Sequence, residues 1–185
     1  MKSGLKENFE VPLIPKVFIL DVDGVLTTGQ FFYTNKGKEM KVFGPDDNDG
    51  LSLLPESLEI RFITGDKKGL EISKKRIVDD MGYKLDLVST VKRTQWINEN
   101  YPLNSVIYMG DGIFDHYVMK EVAYSIAPAN ADKNAKAYAS FVTERAGGER
   151  AVAEACLHIL ERFFNFYDSD APLKRKNDNQ GEWMV

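Results

Sequence analysis

The sequence predicts an α/β protein built on a single, doubly wound parallel sheet. Apolar, β-branched runs alternate with helix-like stretches along the chain, and this alternation is typical of parallel strands joined by helices. The first run, residues 16–20, ends abruptly at Asp21 and Asp23, as expected of a buried strand that carries ligand-binding groups to the carboxyl edge of a sheet. With 185 residues, 43% of them hydrophobic, the chain is long enough for one core and short for two.

The other elements follow in chain order. Apolar runs predict further strands at residues 58–63, 85–88, 105–109, 122–127 and 141–143. Helices are predicted at residues 67–81, 91–100 and 149–166, with a short alanine-rich helix between the last two strands. Gly82 ends the first of these helices, Pro102 follows the second, and Asn130 is the expected cap of the alanine-rich one.

Residues 30–43 interrupt the alternation. Two segments rich in aromatic and apolar residues flank the turn-like sequence Asn-Lys-Gly-Lys at 35–38, which is the pattern of a β-hairpin. One interpretation is an edge hairpin folded onto its own domain. The other is a projecting flap whose aromatic side chains are covered by another subunit, and the residues by themselves favour neither.

Composition excludes several classes of partner. The net charge is −4 and the basic residues are scattered, so we expect no nucleic-acid partner. Residues 1–10 are polar and no apolar run reaches the ~20 residues that span a bilayer, so we expect a cytoplasmic protein without a membrane partner. One domain is expected over residues 1–167, followed by a flexible polar tail at 168–185.

Functional groups follow several of the predicted strands. Asp21 and Asp23 end the first strand, and Thr64-Gly65 ends the next, where a hydroxyl and backbone N–H groups can hold phosphate oxygens. Lys92 begins a helix after a third strand, in a position to neutralise a phosphoryl group, although a lysine there, taken by itself, is more typical of an ordinary surface.

A second acidic cluster follows the strand at 105–109, where the sequence Gly-Asp-Gly-Ile-Phe-Asp places carboxylates at Asp111 and Asp115. Two such clusters at two strand ends predict a site rich in hard oxygen ligands, which favours Mg²⁺. Paired histidine or cysteine ligands for a transition metal are lacking. With Mg²⁺ offsetting charge, one aspartate can attack phosphorus to give an aspartyl-phosphate, while another protonates the leaving oxygen and then activates water.

In order and spacing, these residues resemble the four motifs of haloacid dehalogenase superfamily phosphatases, a resemblance that extends over residues 16–160. The motif residues are Asp21-Val22-Asp23-Gly24-Val25-Leu26-Thr27, Thr64-Gly65, Lys92, and Gly110-Asp111 to Asp115. Within the superfamily the chain is similar to the small, Rossmann-like branch without a cap domain. That branch contains 3-deoxy-octulosonate (KDO) 8-phosphate phosphatase and the phosphatases of nonulosonate 9-phosphates. The hairpin at 30–43 stands where this branch has its flap, and Gly147-Gly148 resembles the glycine pair that opens its last helix.

The resemblance implies a role for each acid. Asp21 is the expected nucleophile and a Mg²⁺ ligand. Asp23 is the expected general acid and base, and its backbone carbonyl also binds the metal. Asp111 is the remaining direct protein ligand, whereas Asp115 anchors a metal-bound water or Lys92.

The remaining roles concern the phosphoryl group and the assembly. Thr64 and Lys92 are expected to bind the transferring phosphoryl group, with backbone N–H groups or close approach from Gly24 and Gly65. The resemblance also implies a homotetramer in which the flaps form a central barrel and a neighbouring subunit closes each active site. It thereby favours the projecting interpretation of the hairpin.

One departure from the family bears on the substrate. The relatives commonly carry Thr-Gly-Arg where this chain has Thr64-Gly65-Asp66, and that arginine is associated with an anionic sugar acid. An acid at 66 is expected to repel a carboxylate and to favour a neutral or amine-bearing substrate. The alternative is that Asp66 only caps the following helix while Lys67 or Lys68 restores the positive charge.

The expected function is therefore hydrolysis of a small phosphorylated sugar or sugar acid, resembling KDO 8-phosphate, for the synthesis of a surface polysaccharide. A phosphatase for an amino-sugar or amino-alcohol phosphate is the alternative within enzymes. A non-catalytic oligomerisation module of the same fold is the alternative outside them. Retention of all the charged motif positions argues against the module, because clustered carboxylates without a metal cost stability.

Overall fold

Eight strands and six helices make up residues 14–171, the part of the chain that the computed structural model describes. The strands are β1 (Val17–Asp21), β2 (Thr27–Thr34), β3 (Gly37–Phe43), β4 (Glu59–Thr64), β5 (Lys84–Leu87), β6 (Val106–Met109), β7 (Tyr124–Ala127) and β8 (Phe141–Val142). The helices are α1 (Asp47–Leu53), α2 (Leu70–Lys74), α3 (Arg93–Asn100), α4 (Asp115–Met119), α5 (Lys133–Tyr138) and α6 (Ala151–Phe163). Helical turns of other pitch are Val22–Leu26, Lys75–Asp80, which prolongs α2, Thr90–Lys92 and Leu103–Ser105.

Six strands form a parallel sheet in the order β5-β4-β1-β6-β7-β8. The strand β1 lies near its centre, with Leu20 paired to Phe62 of β4 on one side and to Met109 of β6 on the other. Because the strands run in one direction, their carboxyl ends meet at a single edge, where open α/β sheets bind ligands. The predicted fold class is confirmed, and no cap domain interrupts residues 14–171.

Both faces of the sheet are covered by helices, as the alternation in β1 requires. Phe18 and Leu20 point into a core shared with α1 and α6, and Val17 and Ile19 point into a second core shared with α3, α4 and α5. All four side chains are inaccessible to solvent. The thiol of Cys156 is buried in the first of these cores. None of the helices within the described residues has the length and apolar content needed to cross a membrane.

The predicted hairpin is present as β2 and β3, an antiparallel pair separate from the main sheet. It begins three residues before the predicted start, at Thr27, and it turns at Asn35 and Lys36. The hairpin carries large apolar side chains that are between 37% and 59% exposed, namely Phe31, Phe32, Tyr33, Met40 and Val42. We refer to residues 27–43 as the flap.

Several local predictions differ from the structure. The sequence does not predict α1, because its Asp, Asn and Gly residues are weak helix formers. This helix depends on tertiary packing, in which Leu51 is buried against α6. The predicted cap of α5 is wrong: Asp132, not Asn130, accepts the hydrogen bond from the N–H of Asn134, at 2.8 Å. Most of the predicted tail lies outside the described residues.

Candidate active site at the carboxyl edge of the sheet

The chain reverses sharply after β1, and this turn places Asp21 at the edge of the sheet. Asp21 is buried, and its Oδ1 accepts a hydrogen bond from the N–H of Val22 at 2.8 Å. The turn requires glycine at 24, where φ is +89°. A Cβ there would lie 2.0 Å from Oδ2 of Asp111, so the missing side chain lets the second acidic cluster approach the first.

Three carboxylates converge at this point. Asp21, Asp111 and Asp115 each offer an oxygen atom, and these atoms lie within 4.8 Å of one another. Asp115 is held at the start of α4 by two hydrogen bonds: Gly112 N–H donates to its Oδ2 at 2.8 Å, and the Tyr108 hydroxyl donates to its Oδ1 at 2.7 Å. The predicted meeting of the two acidic clusters is therefore present in the fold.

The surroundings of Asp21 and Asp111 disfavour the charged forms of these two carboxylates. Burial raises the pKa of Asp111 to about 8, reinforced by the negative charges of Asp21 and Asp115. Burial also raises the pKa of Asp21 to about 6, although the positive charge of Arg93 opposes the shift. Grouped acids with raised pKa values are typical of functional sites.

A single cation, Arg93, lies among these acids. Its Nη1 donates to Oδ2 of Asp21 at 2.6 Å and to Oδ1 of Asp115 at 2.7 Å, while its Nη2 donates to Oδ1 of Asp21 at 2.8 Å. Nη1 also donates to the hydroxyl of Tyr108 at 3.0 Å. Burial alone would lower the pKa of the guanidinium, but Tyr108, Asp21 and Asp115 together raise it. We call Asp21, Asp111, Asp115 and Arg93 the arginine cluster.

The structure does not bring Lys92, the cation expected at this place, to the acids. Lys92 ends the helical turn before α3 and is exposed, with no side-chain hydrogen bond or ion pair to any described residue. The neighbouring Arg93 faces the sheet instead, one helical turn before the buried Ile97. The spacing between Arg93 and Ile97 is the signal in the sequence that identifies the inward position.

Asp23 lies on the other side of the turn and contacts a different set of residues. Thr64, which ends β4, donates from Oγ1 to Oδ2 of Asp23 at 3.3 Å and accepts from the N–H of Asp66 at 3.0 Å. Lys41 of the flap donates to Oδ2 of Asp23 at 3.0 Å, and its Nζ lies 2.8 Å from Oδ1. The expected proximity of Asp23 and Thr64 is therefore observed, whereas the sequence gives no indication of Lys41.

Asp66 both accepts a helix-capping hydrogen bond and pairs with positively charged side chains. Its Oδ1 accepts a hydrogen bond from the N–H of Gly69 at 3.1 Å, a capping interaction ahead of α2. Its Oδ2 pairs with Lys38 and with Lys41, both from the flap. Burial would raise the pKa of Asp66, but the hydrogen bonds from Lys38 and Lys41 lower it to about 2.

The expected compensation of Asp66 by Lys67 or Lys68 is wrong, because both lysines are exposed and neither pairs with Asp66. The positive charge comes from the flap instead. We call Asp23, Asp66, Lys38 and Lys41 the lysine cluster. Gly65 is exposed and directly follows β4, next to Asp66 of the lysine cluster, where the sequence placed it.

Comparison with known proteins agrees with this geometry. The family model of haloacid dehalogenase-like hydrolases matches residues 66–155. The 3-deoxy-D-manno-octulosonate 8-phosphate phosphatase of Salmonella typhi is 32% identical over 160 residues, which cover 78% of this chain and 79% of that protein. The chain belongs to the haloacid dehalogenase-like hydrolases. The predicted family is confirmed, and with it the expectation of an enzyme, a phosphoric monoester hydrolase.

Solved structures of this hydrolase family share the fold. The 3-deoxy-D-manno-octulosonate 8-phosphate phosphatase of Moraxella catarrhalis, solved with magnesium, phosphate and KDO, superposes with a TM-score of 0.68 at 27% identity, covering 80% of this chain and 87% of that one. The cobalt-bound phosphatase of Haemophilus influenzae gives a TM-score of 0.69 at 28% identity, covering 80% and 89%.

Proposed function

We propose that this hydrolase is a Mg²⁺-dependent phosphatase that cleaves the phosphate ester of a small sugar acid similar to KDO 8-phosphate. The observation that carries the proposal is the convergence of three carboxylates beside Asp23 and Thr64 at one sheet edge. The relatives named for KDO 8-phosphate hydrolysis support the substrate class. We also propose that the enzyme acts in the cytoplasm, in the synthesis of a surface polysaccharide.

The donor set fits Mg²⁺. The oxygens of Asp21, Asp111 and Asp115 are hard ligands close enough together to share one ion. The pKa of about 8 at Asp111 reflects buried negative charge that a divalent cation would relieve. When bound, the ion supplies charge neutralisation for the phosphoryl oxygens.

The proposed chemistry divides between the two aspartates that flank the turn. An oxygen of Asp21 attacks phosphorus, and the bond from phosphorus to the leaving oxygen breaks as Asp23 gives that oxygen a proton. Asp23 then takes a proton from water, and the water oxygen displaces Asp21 from phosphorus. Oδ1 of Asp23 is buried and receives no well-aligned hydrogen bond, which leaves it acceptor capacity for this exchange.

We assign to Arg93 the place that the resemblance gave to Lys92. Its two hydrogen bonds fix both oxygens of the nucleophile and keep Asp21 ionised against the effect of burial. Thr64 holds Asp23 from the opposite side. Asp66 contributes no net repulsion because Lys38 and Lys41 neutralise it, so we do not expect Asp66 by itself to select an amine-bearing substrate.

The flap also supports the proposed homotetramer. Phe32 and Met40 are cross-strand partners, 49% and 56% exposed, and they form part of an apolar face typical of a subunit interface. Replacing both by serine is expected to lower the molar mass measured by light scattering. The matched control is Leu157→Ser on α6, which is 43% exposed and should leave the mass unchanged. Equal masses for all three proteins would contradict the assembly.

The decisive experiment is phosphate release with Mg²⁺ from KDO 8-phosphate, a nonulosonate 9-phosphate, hexose phosphates and amine-bearing phosphates. We expect preference for a sugar-acid phosphate and a loss of about 10³-fold or more in Asp21→Asn. Asp79→Asn, an exposed acid remote from the motifs, is the control and should retain full activity. Preference for an amine-bearing phosphate would replace the proposed substrate, and turnover that survives Asp21→Asn would refute the mechanism.

A further inference from the structure

Lys41 is an unusual residue for a hairpin that is not part of the main sheet. Its side chain is fully buried, whereas its neighbours Met40 and Val42 are exposed. Lysine is almost never buried without partners, because its ammonium loses its hydration. The inward position on β3 therefore has to be explained by what Lys41 contacts.

All three N–H bonds of its ammonium have acceptors within the protein. Nζ contacts the carboxylate of Asp23 at 2.8 to 3.0 Å, Oδ2 of Asp66 at 3.0 Å and Oγ of Ser73 at 2.8 Å. An ammonium offers three donors and no acceptor. With each donor satisfied, Lys41 has none left for a phosphoryl oxygen, so its place beside Asp23 is not that of a phosphate ligand.

A closed ring of hydrogen bonds fixes Lys41. Ser73 accepts from Lys41 and donates to the carbonyl of Gly69 at 3.3 Å. Gly69 in turn donates its N–H to Oδ1 of Asp66 at 3.1 Å, and Oδ2 of Asp66 returns to Lys41. Fully satisfied polar networks of this kind hold their members in one geometry.

We infer that Lys41 is a positioning residue that orients the carboxylate of Asp23 for proton transfer to the leaving oxygen. The inference rests on the proposed function, in which Asp23 is the general acid and base. Through Lys41 the flap contributes to the catalytic geometry of its own subunit. Lys38 provides an internal comparison, because it pairs with Asp66 and lies 3.3 Å from the ring centroid of Phe31 but makes no contact with Asp23.

The dependence of rate on the leaving group tests this role. A sugar alkoxide leaves only when it is protonated, whereas nitrophenolate leaves as a stable anion without help from Asp23. In Lys41→Met we expect kcat/KM for the preferred sugar phosphate to fall about 10²-fold, and that for p-nitrophenyl phosphate to fall less than about 5-fold. Asp23→Asn should show the same selectivity with a larger loss on the sugar phosphate.

Two further variants guard against a general folding defect. Ser73→Ala removes one acceptor of Lys41 without changing any charge, and we expect the same selectivity at about 3- to 10-fold. Lys38→Met removes a flap lysine of the same kind and should leave the ratio of the two kcat/KM values unchanged. The rise in melting temperature on adding Mg²⁺ reports that the metal site is intact in each variant.

The outcomes separate the inference from the proposal on which it rests. Equal losses on both esters in Lys41→Met, or the same change of ratio in Lys38→Met, would reduce Lys41 to a structural residue while the phosphatase stands. If Asp21→Asn retained turnover of both esters in the same assay, the phosphatase mechanism would fail, and the role of Lys41 with it.

Discussion

Asp21 and Asp23 are two residues apart, yet the turn after β1 sends them into clusters of opposite design. In the arginine cluster three carboxylates face one guanidinium. In the lysine cluster two carboxylates face two ammonium groups. With every acid ionised, the first has a formal excess of two negative charges and the second has none.

This difference is the reason that we propose only the arginine cluster as a set of carboxylate ligands for the metal. Buried charge has to be neutralised, and an excess of two negative charges matches a divalent cation. The balanced lysine cluster needs no ion, and its hydrogen bonds serve to fix side chains. Single residues show the same contrast: the pKa of Asp111 in the arginine cluster is raised, whereas the pKa of Asp66 in the lysine cluster is lowered.

The largest expected effect comes from removing the only cation of the arginine cluster. Arg93→Met leaves Asp21 and Asp115 buried without a cationic partner, so it should lower the free energy of unfolding in EDTA by about 3–5 kcal/mol. Urea unfolding measures it, and saturating Mg²⁺ should recover part of the loss. Lys92→Met is the adjacent control, expected within ~0.5 kcal/mol of the parent. A larger effect from Lys92 than from Arg93 would reverse the assignment of the two residues.

Removing one acid of the arginine cluster should instead raise the free energy of unfolding. The pKa of Asp111 is raised from 3.8 to about 8, so the folded state holds its proton more tightly than the unfolded state does. This residue therefore costs stability progressively as the pH rises from about 4 to 8. In EDTA at pH 8, Asp111→Asn should be more stable than the parent by about 2–3 kcal/mol, with the advantage vanishing near pH 4.

Mg²⁺ should reverse that order. The ion binds the parent and relieves its repulsion, whereas the asparagine variant has lost a ligand charge, so the parent should show the larger rise in melting temperature. Thermal unfolding at pH 5 and pH 8, with EDTA and with Mg²⁺, gives all four comparisons. A destabilised Asp111→Asn protein in EDTA would show that the cluster is not overcharged.

The smallest effect is expected in the balanced cluster. Lys38→Met removes one of two cations on Asp66, and because Lys41 remains, the loss should be about 1 kcal/mol at pH 7. The pKa of Asp66 is lowered from 3.8 to about 2, so its ion pairs stabilise the fold above pH 4 and are lost as the pH falls toward 2. Urea unfolding at pH 7 and pH 3 should show a difference that shrinks with acidification. A difference that grew instead would contradict the pairing.

Much of the fold is predictable because the strand signals are local. The run before Asp21 is apolar throughout, and each catalytic motif follows such a run, so the shared sheet edge could be deduced without coordinates. Helix α1 could not be predicted in this way, because weak helix formers are held there by the packing of Leu51 against α6. Asn130 was a plausible cap, but its side chain instead accepts from the N–H of Gly147 at 2.7 Å.

The two cations differ in how far the sequence could have revealed them. Arg93 lies one helical turn before the buried Ile97, so closer attention to helical periodicity finds it. Lys41 has no such local signal, because its acidic partners are 18 and 25 positions away along the chain and meet it only through the docking of the flap. The motifs therefore identified the acidic residues of the site more completely than the cationic residues that pair with them.

In β3 the buried Lys41 lies between the exposed Met40 and Val42, so the register of this strand matters, and the turn at Asn35 and Lys36 helps to set it. A slip of one residue in a strand exchanges its two faces. Here it would turn Lys41 toward solvent and bring Met40 against Asp23. Given the role inferred for Lys41, a one-residue insertion in this turn that shifted the register would remove its contact with Asp23 and reverse the apolar outer face, whereas an insertion of two would preserve both.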